Sequence, residues 1–175
     1  MALPDQMIRA ARLDVNLYEE VEADTNQTTN AMIVVLIAAV ATAIGSALGG
    51  GANVAALVVG GLIGPLVGWM ISTGCIYFIG TRLFGGTATW GEVMRTMGFA
   101  QAPGVLNIFR FVPVLGALIG FIAAIWGVVA AVIAIRQALD VSTGKAIVAG
   151  IIGGILGAIP TAIILAALGA ATGAN

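Results

Sequence analysis

Four runs of this chain lack any Asp, Glu, Lys or Arg and are long enough to cross a membrane: 31–48, 54–79, 114–135 and 146–167. A helix rises about 1.5 Å per residue, so roughly 20 apolar residues match about 30 Å of hydrocarbon. Composition closes off the soluble alternative. Charged residues are 9% of 175, against roughly 25% in an ordinary soluble domain. The chain is expected to be an all-α, polytopic transmembrane bundle. Two of the runs contain a proline, Pro65 and Pro160, and the run holding Pro65 is long enough to tilt or kink. "GGGAN" between the first two reads as a tight turn.

Charge divides the chain at residue 30. Residues 1–30 hold six acidic and two basic residues, a balance of −4; the remainder holds two acidic and five basic, a balance of +3. We therefore read two units, an acidic N-terminal segment (1–30) and a helical membrane domain (31–175). In the first, Ile8, Ala11, Val15 and Tyr18 recur at helical spacing, giving one amphipathic helix. It either lies on the bundle or the bilayer, or acts as a docking arm through Tyr18, Glu19, Glu20, Glu22 and Asp24.

"TWGEVMRTMGFAQAPGVLNIFRFVP", Thr89 to Pro113, has the length of a span but carries Glu92, Arg95, Gln101, Asn107 and Arg110. Thr89 and Glu92 form a capping-box pattern that starts a helix. Pro103 removes a hydrogen bond, so the helix should break there. Glu92 and Arg95 are three apart and able to pair. Arg95 is expected in a forked contact with an acidic or carbonyl partner, foremost Glu92 on its own helix or an acid of the N-terminal segment such as Glu22. Arg110 is expected to snorkel. Trp90, Glu92, Arg95, Gln101, Pro103 and Arg110 are the candidate interaction or structural site.

Positive charges favour this segment as a third, broken span. With five spans and a cytoplasmic N-terminus, Arg9, Arg12, Arg82, Arg95, Arg136 and Lys145 fall inside and Arg110 alone outside. A re-entrant loop would split them five to two, which the positive-inside rule disfavours.

Several chemistries are disfavoured. There is no His and one Cys, so no His-based metal site or triad is expected. "STGKA" lacks the first Gly and the Ser/Thr of a phosphate loop, so no nucleotide is expected. No catalytic residue, cofactor or nucleic acid is expected, and no signal peptide precedes the first span. Arg136 and Asp140 are spaced for an ion pair. Small residues recur four apart, above all Gly150, Gly153, Gly154 and Gly157, as a ridge packing inside the bundle or against a partner.

Three blocks carry a resemblance: "LDVNLYEEVEADTNQTTNAM", "LFGGTATWGEVMRTMGFAQAPGVL" and "IWGVVAAVIAIRQALDVSTGKAI". Together they resemble the bacterial branch of the Yip (Ypt-interacting protein) domain family. The resemblance implies five spans with a cytoplasmic N-terminus. Eukaryotic relatives act in vesicle traffic and bind Rab-type GTPases or one another. Phe84, Gly85, Gly86, Thr89, Trp90, Arg95, Phe99, Pro103 and Gly104 carry the middle block.

The expected function is non-enzymatic. One reading is a scaffold or accessory subunit in the cell membrane, in contact with lipid and packing against other membrane proteins or itself. The alternative is a minor transporter or lipid-handling protein with its site near Gln101 and Pro103.

Overall fold

A computed structural model describes residues 1–49 and 54–172; the expected "GGGAN" turn lies largely outside the described residues. Seven helices and one long 3-10 segment follow in order. Helices α1 (Leu3–Ala11) and α2 (Val15–Ala23) precede α3 (Gln27–Leu48). Helix α4 is Val54–Leu83, α5 is Trp90–Phe99, and the 3-10 segment is Ala102–Phe111. Helices α6 (Leu115–Leu139) and α7 (Thr143–Thr172) complete the chain. The bundle is a polytopic membrane fold, with α3, α4, α6 and α7 each long and apolar enough to cross a bilayer.

The segment from α5 through the 3-10 helix runs along the bundle parallel to α3. Gly98 lies against Ala31, Gly104 against Ala38, Asn107 against Gly45 and Phe111 against Gly49. From Ala31 to Gly49 an α-helix climbs about 27 Å at 1.5 Å per residue. The segment covers that distance in 13 residues, about 2 Å each, which is the rise of a 3-10 helix. The tighter helix is therefore the longer one per residue.

The remaining crossings alternate. Helices α4 and α7 run antiparallel, with Gly153 against Ile76, Gly157 against Ser72 and Gly68 against Thr161. The ends of α4 and α6 and the start of α7 meet: Lys145 Nζ donates to the Phe84 carbonyl at 3.1 Å, and Thr87 N donates to the Leu139 carbonyl at 3.3 Å. Helix α2 packs at that same end, which we call the tail end.

Proline acts differently in α4, in α7 and in the third segment. In α4 the distortion precedes Pro65 as a π-helical stretch, Leu57–Ile63, and Gly64 N reaches back five residues to the Val59 carbonyl. Pro160 sits within an unbroken α7. At Pro103 the helix breaks as expected: α5 ends at Phe99, and Gly104 N bonds the Gln101 carbonyl at 2.8 Å.

The N-terminal segment is two helices, not the single one expected. Leu13 takes φ +61°, and the Asp14 side chain then caps α2 by accepting from Asn16 N at 3.0 Å. Arg9 clasps the pair. Its Nε donates to Asp14 at 2.6 Å, and its other nitrogens fork onto Glu20 at 2.8 and 2.9 Å. The break rotates the apolar face: Ile8 is exposed, while Ala10, Leu17, Tyr18 and Val21 are wholly enclosed. Leu17, Tyr18 and Val21 join one core with Val93, Phe99, Ile135 and Leu139.

Candidate functional site

The polar residues of the third segment serve two distinct places. The first is the tail end of α5. Thr89 and Glu92 form the capping box: Thr89 N donates to Glu92 Oε2 at 2.7 Å, and Glu92 N donates to Thr89 Oγ1 at 3.4 Å. The Glu92 carboxylate is thereby spent on the cap, and no Glu92–Arg95 ion pair forms. Arg95 is buried, and its fork closes on backbone instead. Nε donates to the Val21 carbonyl at 2.8 Å, and Nη2 donates to the Glu22 carbonyl. These are among the last carbonyls of α2, where the helix dipole presents negative charge. Of the partners open to Arg95 in the sequence, the carbonyls win. Trp90, half exposed, meets Tyr77 edge to face at 6.1 Å.

The acidic residues of the N-terminal segment mostly have partners within the chain. Tyr18 is enclosed, its hydroxyl donating to the Ala10 carbonyl at 3.4 Å. Glu19 accepts from Gln137 Nε2, Glu20 holds Arg9, and Asp24 accepts from Asn26 N at 2.9 Å at the start of α3. Glu22 differs. One of its carboxyl oxygens is buried without a partner among the described residues. Burial, with Asp140, Glu19 and Glu92 close by, pushes its pKa up to about 7. Arg136 and Asp140 do not pair as their spacing suggested. Arg136 Nε donates to Gln137 at 2.7 Å, and Asp140 accepts from Thr87 Oγ1 at 3.0 Å.

The second place is a groove of about 750 Å³ between the 3-10 segment and α6. A 3-10 helix has three residues per turn, so residues three apart eclipse. Gln101, Gly104, Asn107 and Arg110 are spaced by three, and all four line the groove. In an α-helix the same residues would wind to different faces. Runs of 3-10 beyond three or four residues are uncommon; this one is 10 residues long, and its effect is one straight column of polar groups. At about 2 Å per residue the column from Gln101 to Arg110 is about 18 Å tall. The facing wall of α6 is mostly small, with Gly116, Ala117, Gly120, Ala124 and Gly127, and has Phe121 and Val128 as its larger members. Buried Pro103 lies on the segment's other side, where α1 packs and where Met7, Ile8 and Ala11 line a small apolar pocket with Pro103, Leu106 and Trp126. Trp126 Nε1 donates to the Ala11 carbonyl at 2.7 Å.

The side chains of Gln101, Asn107 and Arg110 form no hydrogen bond or ion pair among the described residues. In hydrocarbon such groups cost several kcal/mol each unless something satisfies them. Asn107 and the small face of α6 were not among the candidates drawn from the sequence. Their signal was there, in polar residues spaced by three just after Gln101-Ala102-Pro103, and in small residues spaced by three or four along α6.

The glycine ridge of α7 divides. Gly153 and Gly157 face α4, Gly150 faces Ile135 of α6, and Gly154 has nothing within 4 Å. Among the described residues, no group of three or more Cys, Asp or Glu is placed to hold a metal.

The Yip1 domain family matches residues 18–170 of the chain. That is 153 of 175 residues, from Tyr18 in α2 to the last turns of α7. The chain belongs to the Yip1 domain family. No curated protein and no solved structure matches it. The matched span takes in α2, which Arg95 fastens to the bundle, and the whole groove.

Proposed function

We propose that this Yip1-domain protein is a non-enzymatic membrane protein that handles lipid through its lateral groove. The observation that carries this reading is the column of polar side chains unpartnered among the described residues, Gln101, Asn107 and Arg110, facing an apolar wall that is mostly Gly and Ala, with Phe121 and Val128. A groove of that kind takes an amphiphile: polar groups on one wall, methyl and methylene surface on the other. Its lining offers amide, guanidinium and alkyl groups, which bind rather than react. The test is photolabelling in liposomes with a diacyl lipid carrying a diazirine in one chain. Labelling should concentrate on residues 101–110 and 116–131. Labelling no denser there than on the exposed α7 residues Ile151, Ile155 and Ile159 overturns the reading.

A second reading, the scaffold or accessory subunit, has its own support. Gly60 of α4 and Gly154 of α7 meet nothing within 4 Å, and small residues on an outer face let another membrane helix approach closely. Replacing Gly154 by Leu should leave the fold intact and remove any co-purifying membrane partner. Unchanged co-purification overturns it.

We further propose that the tail end faces the cytoplasm of a cell membrane, and that the chain belongs to the bacterial branch of the family, on its middle block. Arg82, Arg95, Arg136 and Lys145 lie toward the tail end and Arg110 at the other, as the positive-inside rule favours. Reporters fused to the two termini should fall on opposite sides of the membrane. Finding both on one side refutes the five-crossing topology.

A further inference from the structure

We propose that the groove holds one phospholipid, with its phosphodiester on Arg110 and one acyl chain lying along Gly116–Gly127. This rests on the lipid-handling reading above and names the occupant.

Charge gives the first argument. Beyond Asp24 the chain has only two acidic residues, Glu92 and Asp140, and both lie at the tail end. Arg110 is at the opposite end, exposed, with no ion pair among the described residues. Arginine forks onto a phosphate, matching two donors to two oxygens. A lone guanidinium at the mouth of a groove between membrane helices is the chemistry that captures an anionic head group.

Depth gives the second. Phe111 lies against Gly49, just past the end of α3, so Arg110 sits at head-group level. Phe109 and Phe111 flank it, both exposed, as aromatic residues do at a membrane interface. Asn107 lies one 3-10 turn lower, about 6 Å down, where the ester carbonyls of a glycerolipid would accept from its amide.

Shape gives the third. Below Asn107 the wall is Gly120, Phe121, Ala123, Ala124, Gly127 and Val128. From Gly116 to Gly127 is about 16 Å of helix, close to one leaflet's share of a hydrocarbon core about 30 Å thick. A Cβ added at Gly120 would approach only Arg110 Nε and Asn107 Oδ1, each at 4.0 Å. The missing side chain is what leaves the channel beside the two polar groups. An inorganic phosphate would satisfy Arg110 and leave this apolar length empty, so the occupant is a lipid.

The full chain, delipidated in mild detergent, is offered dioleoyl phosphatidylglycerol, dioleoylglycerol or inorganic phosphate, and retained ligand is counted by native mass spectrometry. Wild type should retain one phosphatidylglycerol, at least tenfold over dioleoylglycerol. Arg110→Gln should lose at least tenfold, and Arg110→Lys should lose less, since it keeps the charge without the fork. Retention of both lipids alike, retention unchanged in Arg110→Gln, or binding of inorganic phosphate without lipid overturns the proposal. Gly120→Leu separates the two levels. If Gly120→Leu expels the lipid and Arg110→Gln does not, the groove stands and the head-group assignment falls. If neither variant changes retention, both fall.

Discussion

Glycine does opposite work on the two sides of this bundle. Between α4 and α7 it brings backbones together. A Cβ at Gly153 would lie 2.9 Å from Ile76 N, and one at Gly157 would lie 2.7 Å from Ser72 Cα. Between the 3-10 segment and α6 it does this only at the far end, where Gly116 meets the Arg110 backbone; further along α6, Gly120 and Gly127 leave room that nothing among the described residues fills. The polar groups at the first contact are small hydroxyls, Ser72 and Thr161, and Thr161 Oγ1 donates to the Gly157 carbonyl at 2.7 Å. The second side carries three polar side chains without partners among the described residues. Within lipid there is little hydrophobic force between helices, so close packing supplies the adhesion. The α4–α7 face has that adhesion, and the groove face forgoes it. A surface left open at such a cost is the one to examine for a ligand.

The largest expected effect comes from closing the contrast on the packed side. Replacing Gly153 and Gly157 together by Leu drives side chains into α4 backbone, which cannot yield as a side-chain tip can. The loss should exceed about 3 kcal/mol, and the protein should aggregate or be degraded on expression. Size-exclusion chromatography of the double variant checks this. A monodisperse, wild-type profile would mean that the α4–α7 contact is not what holds the bundle.

Next in size is Arg95, which ties the N-terminal helices to α5. Arg95→Ala strips two carbonyls of a charged donor; each such hydrogen bond contributes about 1.5–3 kcal/mol. Arg95→Lys should recover less than half of the loss, because an ammonium lacks the planar fork. Detergent melting temperatures of the two variants decide it. A Lys variant that melts like wild type reduces Arg95 to a point charge.

A smaller effect is expected from Glu22, whose carboxyl is pushed from 4.5 up to about 7 by burial and by Asp140, Glu19 and Glu92, with Arg95 opposing. The folded protein therefore holds this proton more tightly than the unfolded chain does. Its stabilising contribution is full below about 4.5 and is lost as the pH rises through 7. Wild type should melt lower at pH 8 than at pH 5.5 by more than Glu22→Gln does. Parallel melting of the two across that window would remove Glu22 as the cause.

How far the chain could be read in advance follows the same division. The four long helices were legible because hydrocarbon thickness imposes a length that apolar runs reveal. The capping box was legible because Thr89 and Glu92 act locally. The break at Leu13 was not, since nothing in its side chain announces a left-handed residue. Arg95's partners were open among acids and carbonyls, because the choice depends on where α2 folds back. The groove was half legible. Gln101, Pro103 and Arg110 stood out as polar or helix-breaking residues in an apolar chain, but whether they shared a face depended on the helix type. At three residues per turn they align with Asn107; at 3.6 they scatter. The glycine ridge of α7 was legible as a spacing, but which of its members faced α4, α6 or the outside depended on rotation.

The smallest effect on stability is expected where the same substitution is made on the open side. Gly120→Leu adds as large a side chain as Gly153→Leu, on a helix buried in the same bundle. Nothing but the tips of Arg110 and Asn107 stands within 4 Å of the new Cβ, and both tips are free to move. Gly in mid-helix costs about 1 kcal/mol relative to a good helix former, so the variant gains propensity while it loses groove volume. The melting temperature should stay within the range of a surface change, about 0.5 kcal/mol either way, and could rise. Lipid retention should nevertheless fall. That pairing distinguishes a groove from a packing defect. A defect that is filled becomes more stable and nothing else changes, whereas a site that is filled becomes no less stable and loses its ligand. If Gly120→Leu destabilises as Gly153→Leu does, the space beside α6 is closed in the membrane, and glycine does one job throughout the bundle.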